Sequence, residues 1–495
     1  MTSSTRILHR LATERGSEFR QGGERILMLY PSPYRAGMSS LGYQWILHTL
    51  NHAGFSAERA FLPDDGEREN PGRGPLLSYE TQTPVGNFPV IGISLAYELE
   101  LAGMVRALEL AGIPPLREDR GPQDPRIIIG GPLTFSNPLP AAPFADAMLI
   151  GEADDDTVPA FTAAVREDRS QFLQVLRALP SGYVPELDGQ VLPPPAQADD
   201  AGLPAWGPIL APEAELRDMF LIEGERGCHR RCTFCVMRRG VQSGMRVYSP
   251  ERILSRIPEV ARRVGLVGAA ISDHPKLTDL LAQLIESGRE VGVSSLRADR
   301  VARKPDIARL LRAGGYQTLT VASDAASQSL RNQLEKGTTE AHLLTCARQA
   351  AQHRYRVLKV YMMVGLPDET DEDIDELIRF TSELAKIHPV ALGIAPFVPK
   401  RNTPMDTDAF AGIKVVERRL KRLSRGLRGR ADVRPTSARW AWIEAQLAQA
   451  GIEGGYASIE AVHAGGRFSD WKRALQSISP DKMAPWRTPT SCIEN

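Results

Sequence analysis

Short apolar runs alternate with amphipathic stretches along residues 23–190. Runs with the length and β-branched character of buried strands occur at 25–30, 90–96, 126–131 and 147–152. Between these runs, residues 41–52 and 101–111 carry apolar side chains at helical spacing. This alternation predicts an α/β fold with a doubly wound parallel sheet, in which ligands bind beyond the carboxyl ends of the strands. The polar residues 1–22 are expected to form a flexible N-terminus.

A second alternation follows a linker, 191–213, in which Pro, Gly, Ala and Asp occur without periodicity. Strands are predicted at 219–223, 266–272, 290–296, 318–323, 357–365 and 391–398. Helices are predicted at 277–287, 306–313, 340–353 and 371–386. Six strand–helix units over 214–412 are too few for a closed eightfold barrel, so we expect a partial (β/α)6 barrel. The tail, 413–495, is predicted to be a small helical extension.

The composition excludes several classes of protein. The 495-residue chain balances 60 Lys and Arg against 60 Asp and Glu, so its net charge does not attract nucleic acid or an anionic membrane. No apolar run approaches the roughly 18 residues of a membrane span, and the N-terminus has no secretory signal pattern. Five cysteines, three of them crowded together, do not make a disulfide framework. We therefore expect a cytoplasmic protein, in which such clusters bind metal or act in catalysis.

The crowded cysteines lie in the segment GERGCHRRCTFCVMRRG at 224–240. Cys228, Cys232 and Cys235 have the spacing C-x3-C-x2-C, and no second C-x2-C pair completes a four-ligand zinc site. His229 adjoins Cys228 and is poorly placed to be a fourth ligand. A 4Fe–4S cube has four irons that each take one external ligand, so three cysteines leave one iron open for a small molecule. The spacing therefore favours a catalytic cluster over structural zinc or free thiols.

Aromatic and basic side chains surround these cysteines. Phe234, between the second and third cysteine, is expected to shield one face of the cluster from water. A cube held by thiolates is anionic, so nearby cations favour its reduction. The same cations could instead contact an anionic substrate or face solvent. The five arginines concerned are Arg226, Arg230, Arg231, Arg238 and Arg239.

The motif C-x3-C-x-aromatic-C after a strand resembles the signature of the radical S-adenosylmethionine (radical SAM) superfamily. The resemblance implies a partial barrel of six units, as the segment count does independently. It also implies that S-adenosylmethionine chelates the open iron through its amino and carboxylate groups. An electron from the cluster then breaks the sulfonium bond and yields a 5′-deoxyadenosyl radical that abstracts hydrogen from substrate. An external electron donor of the flavodoxin or ferredoxin type is implied as a partner.

Two further segments resemble cosubstrate-binding parts of that superfamily. VGLVGAAISDHP at 264–275 corresponds to the glycine-rich end of the second strand, where Gly268 and Ala269 would meet the methionyl amine through the backbone. This chain lacks the acidic residue that usually follows those glycines. SSLRAD at 294–299 follows the third strand, and the resemblance implies that Arg297 reaches the cosubstrate carboxylate.

Three later segments extend the resemblance over most of the chain. In TVASDAASQSLR at 320–331, Asp324 stands where the superfamily normally carries Glu, at a position that contacts ribose or substrate. In KVYMMVGLPDETDEDI, the turn formed by Gly365, Leu366 and Pro367 would flank the adenine. APFVPKRNTP, which follows the sixth strand, is similar to one particular subgroup. In this order behind the cysteine loop, the segments identify a radical SAM protein.

The front half resembles the Rossmann-type domain of cobalamin-binding radical SAM proteins, in the segments 30–42, 94–98 and 130–138 among others. The resemblance implies that cobalamin's nucleotide tail lies near Ser94, Gly130 and Gly131, where small residues allow close backbone approach. The familiar histidine of D-x-H-x-x-G is absent, since the chain has RAGMSSLG there. Two interpretations stay open. Cobalamin binds without a protein lower ligand, or the domain has lost the cofactor and recognises substrate.

The remaining candidates are weaker. His274, beside the glycine-rich turn, is considered as an acid or base, against a solvated turn residue. Cys346 is expected in the core and Cys492 near an exposed terminus. The basic run 418–430 is expected to be a solvated helix, so nucleic-acid binding is not favoured.

The sequence therefore predicts a radical SAM enzyme, and with cobalamin a methyltransferase acting on an unactivated carbon. A sulfur-inserting enzyme that modifies tRNA or protein stays an alternative, although no further cysteine triad provides its second cluster. A non-catalytic RNA-binding protein with a cluster or zinc stays the other alternative. The sequence does not identify the substrate.

Overall fold

The computed structural model describes residues 3–64, 75–240 and 244–487. They divide into two compact units. The first combines Met1–Met219 with Gln446–Asn495, and the second is Phe220–Ala445. No helix among the described residues is both long enough and apolar enough to cross a membrane.

The first unit is built on one six-stranded sheet, in the order β2-β1-β3-β4-β5-β6. Its strands are β1 (Arg25–Pro33), β2 (Ser56–Leu62), β3 (Val90–Ser94), β4 (Arg126–Gly130), β5 (Ala147–Leu149) and β6 (Gly182–Tyr183). The first five strands are parallel, and β6 is antiparallel to β5. The strand order changes direction at β1, so the switch point lies between β1 and β3, as in a doubly wound sheet. The predicted fold class is confirmed.

Nine helices of the first unit lie within the described residues. They are α1 (Ser3–Thr13), α2 (Tyr34–Gly37), α3 (Leu41–His52), α4 (Glu100–Leu110), α5 (Asp154–Arg166), α6 (Arg169–Ala178), α7 (Pro185–Asp188), α18 (Glu453–His463) and α19 (Phe468–Gln476). α3 begins where predicted, because the Ser40 side chain accepts a hydrogen bond from the Tyr43 N–H and caps the first turn.

Two elements of this unit differ from the sequence prediction. The N-terminus predicted to be flexible contains the helix α1, whose Arg10 side chain donates to Glu213 and Tyr79. The strand β2 was not predicted, because Glu58 and Arg59 interrupt its apolar pattern, yet both side chains are fully buried. Both α1 and β2 bury charged side chains, so neither segment shows the apolar spacing on which the prediction depends.

A buried ion network explains how β2 tolerates its charges. The Arg59 guanidinium donates to Glu14 at 2.8 Å and to Glu80 at 2.6 Å. The Tyr34 hydroxyl also donates to Glu14. At most 5% of any of the three charged side chains is exposed. Each charge is thus matched by opposite charge and hydrogen bonds, as burial of an ion requires.

The second unit contains two parallel sheets and one short hairpin, β8-β9. The larger sheets have the orders β11-β10-β7 and β12-β13-β14-β15-β16. The strands are β7 (Met219–Glu223), β8 (Glu225–Arg226), β9 (Arg246–Val247), β10 (Arg263–Val267), β11 (Glu290–Val293), β12 (Leu296–Arg297), β13 (Thr318–Asp324), β14 (Val357–Val364), β15 (Val390–Pro396) and β16 (Asp432–Pro435). The break between the two larger sheets falls at 294–295, so the strands do not close into a barrel.

Helices connect these strands in the predicted alternation. They are α8 (Met237–Gly240), α9 (Pro250–Leu254), α10 (Leu277–Glu286), α11 (Ala298–Arg303), α12 (Pro305–Ala313), α13 (Gln328–Gln333), α14 (Glu340–Gln352), α15 (Asp371–Ile387), α16 (Ile413–Gly426) and α17 (Ala438–Gln449). Two strand predictions need correction. β10 ends at Val267, before the predicted 272, because the glycine-rich segment turns there. The strand predicted at 290–296 is split into β11 and β12.

The linker and the tail also differ from the prediction. The predicted linker, 191–213, packs on the first unit and buries Leu203, Ile209 and Leu210. The predicted extension, 413–495, divides, because residues from Gln446 onward belong to the first unit. There the Asn137 side-chain amide donates to carbonyl groups of residues 447, 448 and 450. The tail also contains β16, which was not predicted as a strand.

Candidate active site

The three clustered cysteines lie in a loop at the carboxyl end of β7. β8 and β9 close the base of this loop as an antiparallel pair, with Glu225 opposite Val247. Gly227 has a φ of 82°, which allows the chain to turn directly before Cys228. The Cys235 N–H donates to the Cys232 carbonyl at 3.3 Å and tightens the segment between these two ligand candidates. The sheet edge and the turn thus present the cysteines together.

The thiols share a buried environment. Cys232 is 7% exposed, and the residues Cys228 and Cys235 are partly buried. Burial raises the pKa of the Cys228 and Cys235 thiols, and the neighbouring Cys232 thiol raises both pKa values further. The Arg230 N–H donates to the Cys228 sulfur at 3.4 Å and opposes part of this shift. Binding to a cationic centre such as iron would favour the thiolate forms of these cysteines.

The three cysteines match what a cube requires from the protein, which is one thiolate for each of three irons. In the described parts of the chain, no three His, Cys, Asp or Glu side chains converge on a site for one metal ion. A cube does not need such convergence, because each thiolate binds a different iron. His229, the alternative fourth ligand, instead lies 3.4 Å from the Met245 sulfur through Nδ1.

Arg297 lies against this loop. Its Nη1 is 3.9 Å from the Cys232 sulfur, and its Nε donates to Asp299 at 3.0 Å. Its Nη2 donates to the Lys336 carbonyl. The guanidinium therefore bridges the cysteine loop and two neighbouring segments, with its positive edge towards the sulfur. A contact with the cosubstrate carboxylate stays a prediction.

A second buried cation, Lys336, was not predicted from the sequence. It pairs with Asp324, and its Nζ lies 6.0 Å from the centre of the Phe234 ring. The Lys336 charge also opposes the effect of burial on the pKa of Cys235. Asp324 adopts a left-handed φ of 64° at the end of β13, which directs the chain away from the strand. No sequence motif predicts a role for Lys336, because only the fold brings it close to the cysteines.

Most arginines of the cysteine loop take part in intramolecular contacts. Arg226 donates to Glu223 at 3.0 Å, and Arg230 donates to Asp273 at 2.7 Å. Although burial would raise the pKa of Asp273, hydrogen bonds from Arg230 and Arg300 hold it below the usual value. Arg238 donates to the Arg231 carbonyl at 2.8 Å. The Arg239 side chain lies outside the described residues.

The turn after β10 packs on Glu225. The Ala270 N–H donates to Glu225 Oε1 at 2.6 Å, and a side chain at Gly268 would collide with that carboxyl group. The Ser294 hydroxyl donates to the Gly268 carbonyl at 2.8 Å. Ala269 is exposed beside them. The predicted cosubstrate turn is therefore adjacent to the strand that leads into the cysteine loop.

The predicted adenine turn follows β14. Gly365 has a φ of 82°, and its N–H donates to Glu369 Oε1 at 2.8 Å. Arg419, from α16, lies 2.9 Å from the same carboxylate oxygen. Leu366 is buried and Pro367 is half-buried. The turn is thus held in place by a buried carboxyl group, and its contact with adenine stays a prediction.

The other candidates have structural roles. The two ring nitrogens of His274 contact the Tyr248 carbonyl at 2.9 Å and the Lys276 N–H at 3.1 Å, so neither is left for acid or base chemistry. Burial lowers the pKa of His274. Cys346 is fully buried, and burial raises its pKa to about 12. Cys492 lies outside the described residues.

The basic run 418–430 lies largely on α16, where it pairs with the acidic side chains of α15. Arg422 is 3.5 Å from Asp371 and donates to Asp375 at 2.7 Å. Arg418 is 3.5 Å from Asp371 as well. The side chains of Arg418 and Arg422 are 63% and 43% exposed, in agreement with the solvated helix predicted from the sequence.

The residues predicted to meet cobalamin lie at the carboxyl ends of β3 and β4. Ser94 and Gly130 are register partners. A side chain at Gly131, whose φ is 103°, would come within 2.6 Å of the Leu95 carbonyl. At Gly130 the nearest atom to an added Cβ would be the Leu149 carbonyl oxygen, 3.9 Å away. Gly131 is thus needed for packing within the chain, whereas Gly130 leaves open space at the sheet edge.

Family models match both halves of the chain. The model described as "Radical SAM proteins, N-terminal" matches residues 42–185, and that described as "Radical SAM superfamily" matches residues 222–381. An uncharacterised protein of Methanocaldococcus jannaschii, MJ0966, is 28% identical over 81% of this chain and 84% of its own length. An uncharacterised methyltransferase of Pyrococcus horikoshii, PH0819, is 22% identical over 32% of this chain and 36% of its own length.

A solved structure shares the fold. TsrM from Kitasatospora setae, a radical S-adenosylmethionine methyltransferase with cobalamin and a 4Fe–4S cluster bound, superposes with a TM-score of 0.53. It is 14% identical to this chain, and the superposition covers 80% of this chain and 78% of TsrM. At this identity the similarity concerns the fold.

Proposed function

The chain belongs to the radical SAM superfamily of enzymes, and on this premise we propose that it holds a 4Fe–4S cluster through Cys228, Cys232 and Cys235. The observation that carries the proposal is the group of three neighbouring thiols at the carboxyl end of a parallel strand, with Arg297 beside them. When bound, the cluster supplies the electron that splits S-adenosylmethionine into methionine and a 5′-deoxyadenosyl radical. An external flavodoxin- or ferredoxin-type donor provides that electron.

The chain's own residues bind and orient the cosubstrate. The backbone at Gly268 and Ala269 receives the methionyl end, and the turn at 365–367 receives the adenine. Asp324 stands between these two turns in chain order and accepts a ribose hydroxyl. Phe234, which lies beside Lys336, would shield a bound cluster from water. Exclusion of water protects a reactive radical from side reactions.

We assign cobalamin to the first unit and methyl transfer to an unactivated carbon as the reaction. The support is the shared fold with TsrM, the partial similarity to an uncharacterised methyltransferase, and the open edge at Gly130. The segment between β1 and α3 carries no histidine, so cobalamin binds here without a histidine ligand from that loop. The substrate provides the acceptor carbon.

The proposal is tested with anaerobically purified and reconstituted protein. We expect about four irons per chain, three of them bound by cysteine, and formation of 5′-deoxyadenosine when S-adenosylmethionine and a reductant are added. Corrinoid that copurifies, or that binds stoichiometrically on addition, supports the methyltransferase assignment. Zinc in place of iron would overturn the cluster, and a reconstituted cluster that forms no 5′-deoxyadenosine would overturn the reductive cleavage.

A further inference from the structure

Glu225 has a buried carboxyl group, one oxygen of which has no hydrogen-bond partner among the described residues. The residue is 1% exposed, and its Oε1 accepts the Ala270 N–H at 2.6 Å. Its Oε2 is buried and has no hydrogen-bond partner among the described residues. A buried polar atom of this kind costs free energy unless a ligand or water completes it. Glu225 therefore points to a donor that is not part of the chain.

The charges around Glu225 favour a ligand group that donates a hydrogen bond over one that accepts it. The charged groups whose electrostatic effect reaches it are the carboxylates of Glu223 and Asp273, and no cation of the described residues pairs with it. Burial, followed by these carboxylates, raises the pKa of Glu225 to about 7, against the opposing Ala270 hydrogen bond. A group that donates N–H bonds relieves this arrangement, whereas an anion would be repelled.

The position of Glu225 identifies the donor. The residue lies three positions before Cys228, and its charge affects the pKa of that thiol. On its other side it fills the space in which a side chain at Gly268 would stand. Glu225 thus lies between the first cluster ligand and the turn that receives the methionyl end of the cosubstrate. The turn itself has no acidic residue after Gly268, since Ala269 and Ala270 follow.

We propose that Glu225 is the positioning residue for S-adenosylmethionine, and that its Oε2 accepts a hydrogen bond from the cosubstrate amino group. This inference rests on the proposed function. The carboxyl group comes from β8, before the cysteines. It provides the acidic group that the turn after β10 lacks. Gly268 is required because any side chain there would displace that carboxyl group.

The test compares two ligands on two matched variants. In Glu225→Gln the amide oxygen still accepts the Ala270 N–H, but an NH2 group replaces the free acceptor. In Glu223→Gln the same change is made two residues away, at a side chain that pairs with Arg226. The ligands are S-adenosylmethionine and its analogue with hydrogen in place of the amino group. Iron content and the spectrum of the oxidised cluster are recorded for each protein.

We expect Glu225→Gln to bind S-adenosylmethionine about 10- to 100-fold more weakly, the range for one hydrogen bond to a charged group. Its affinity for the analogue should equal that of the wild type, and Glu223→Gln should match the wild type for both ligands. Unchanged affinity for S-adenosylmethionine, or an equal loss for both ligands, would overturn the proposal. If Glu225→Gln fails to retain iron, Glu225→Asp carries the same test, because it keeps the carboxyl group but draws its free oxygen back by one methylene.

Failure of the proposed function looks different from failure of this inference. In that case the wild type itself binds no S-adenosylmethionine, or binds it with the same affinity after the cluster is removed. If the wild type binds S-adenosylmethionine but Glu225→Gln does not discriminate between the two ligands as expected, the cluster assignment is retained and the role of Glu225 is wrong.

Discussion

Both units bury charged side chains, and the network around Arg59 in the first unit differs from the surroundings of Glu225 in the second. In the first unit, Arg59 is matched by Glu14 and Glu80, and their side chains are at most 5% exposed. In the second unit, Glu225 has an oxygen without a partner among the described residues, and three thiols share one neighbourhood. A completed network stabilises the fold, whereas an incomplete one is the signature of a place where something else binds.

The largest effect should come from the incomplete site. Cys232→Ala removes the most buried of the three ligands, so we expect the reconstituted protein to lose most of its roughly four irons per chain. Cys346→Ala is the matched control, because it removes a buried thiol from α14 that lies outside the cysteine loop. Iron and sulfide analysis measures both. Full iron retention in Cys232→Ala would contradict the assignment of this cysteine as a ligand.

Breaking the completed network should affect folding and leave the cluster alone. Arg59→Met leaves Glu14 and Glu80 buried without their cation, so we expect a loss of about 3–5 kcal/mol in the free energy of unfolding. Arg166→Met, which breaks an exposed pair with Glu24, should cost less than about 1 kcal/mol. Urea unfolding followed by circular dichroism measures the difference. Equal costs for the two variants would show that burial does not distinguish these pairs.

The turn predicted to meet adenine contains a second buried carboxyl group, Glu369, whose ionisation should make the stability of the fold depend on pH. Burial raises the pKa of Glu369 to about 7, although Arg419 and the Gly365 N–H oppose the shift. A raised carboxyl pKa stabilises the folded state at low pH, and this contribution is lost as the pH rises from the unfolded value through about 7. Its size is at most about 3 kcal/mol.

Glu369→Gln should therefore flatten the decline in stability of the metal-free protein between pH 5 and pH 8. The amide retains an oxygen for the Gly365 N–H, so the turn is preserved. Urea midpoints at the two pH values measure the effect, and Glu383→Gln on exposed α15 serves as the control. A variant that keeps the wild-type pH slope would show that Glu369 ionises normally in the fold.

The smallest expected effect is on the reduction potential of the cluster. Arg297 directs its guanidinium towards the Cys232 sulfur, so Arg297→Gln should shift the midpoint potential to more negative values, on the order of 50–100 mV for one charge at this range. Lys304→Met, at the end of α11 and bonded to the Pro275 carbonyl, is the control. Redox titration followed by electron paramagnetic resonance measures the shift. A potential equal to that of the wild type would deny Arg297 this role.

The sequence predicts elements best where apolar spacing alone determines them. β7 has the predicted bounds, and α14 and α15 differ from theirs by one residue. The strand β2 was missed because it buries Glu58 and Arg59, which the periodicity treats as exposed. Their partners come from distant parts of the chain, since Glu14 is 45 positions away from Arg59. Burial of that kind depends on tertiary contacts that no local pattern encodes.

The same division applies to the site. The cysteine spacing predicts three cluster ligands and the glycine turns predict cosubstrate contacts, because both predictions depend on local backbone geometry. Lys336 and Glu225 were missed, since an isolated Lys or Glu carries no signal until the fold places it beside the cysteines. His274 fits neither of the two interpretations weighed from the sequence, an acid or base and a solvated turn residue, because it is buried and both ring nitrogens contact the chain.

The electron paramagnetic resonance spectrum of the reduced, reconstituted protein, recorded with and without S-adenosylmethionine, tests the central assignment most directly. The account predicts a cluster signal that changes when the cosubstrate is added, with hyperfine coupling to its amino nitrogen when that atom is labelled with nitrogen-15. An intact cluster whose signal is unchanged by a saturating cosubstrate would mean that no iron is open to it, and would contradict the account.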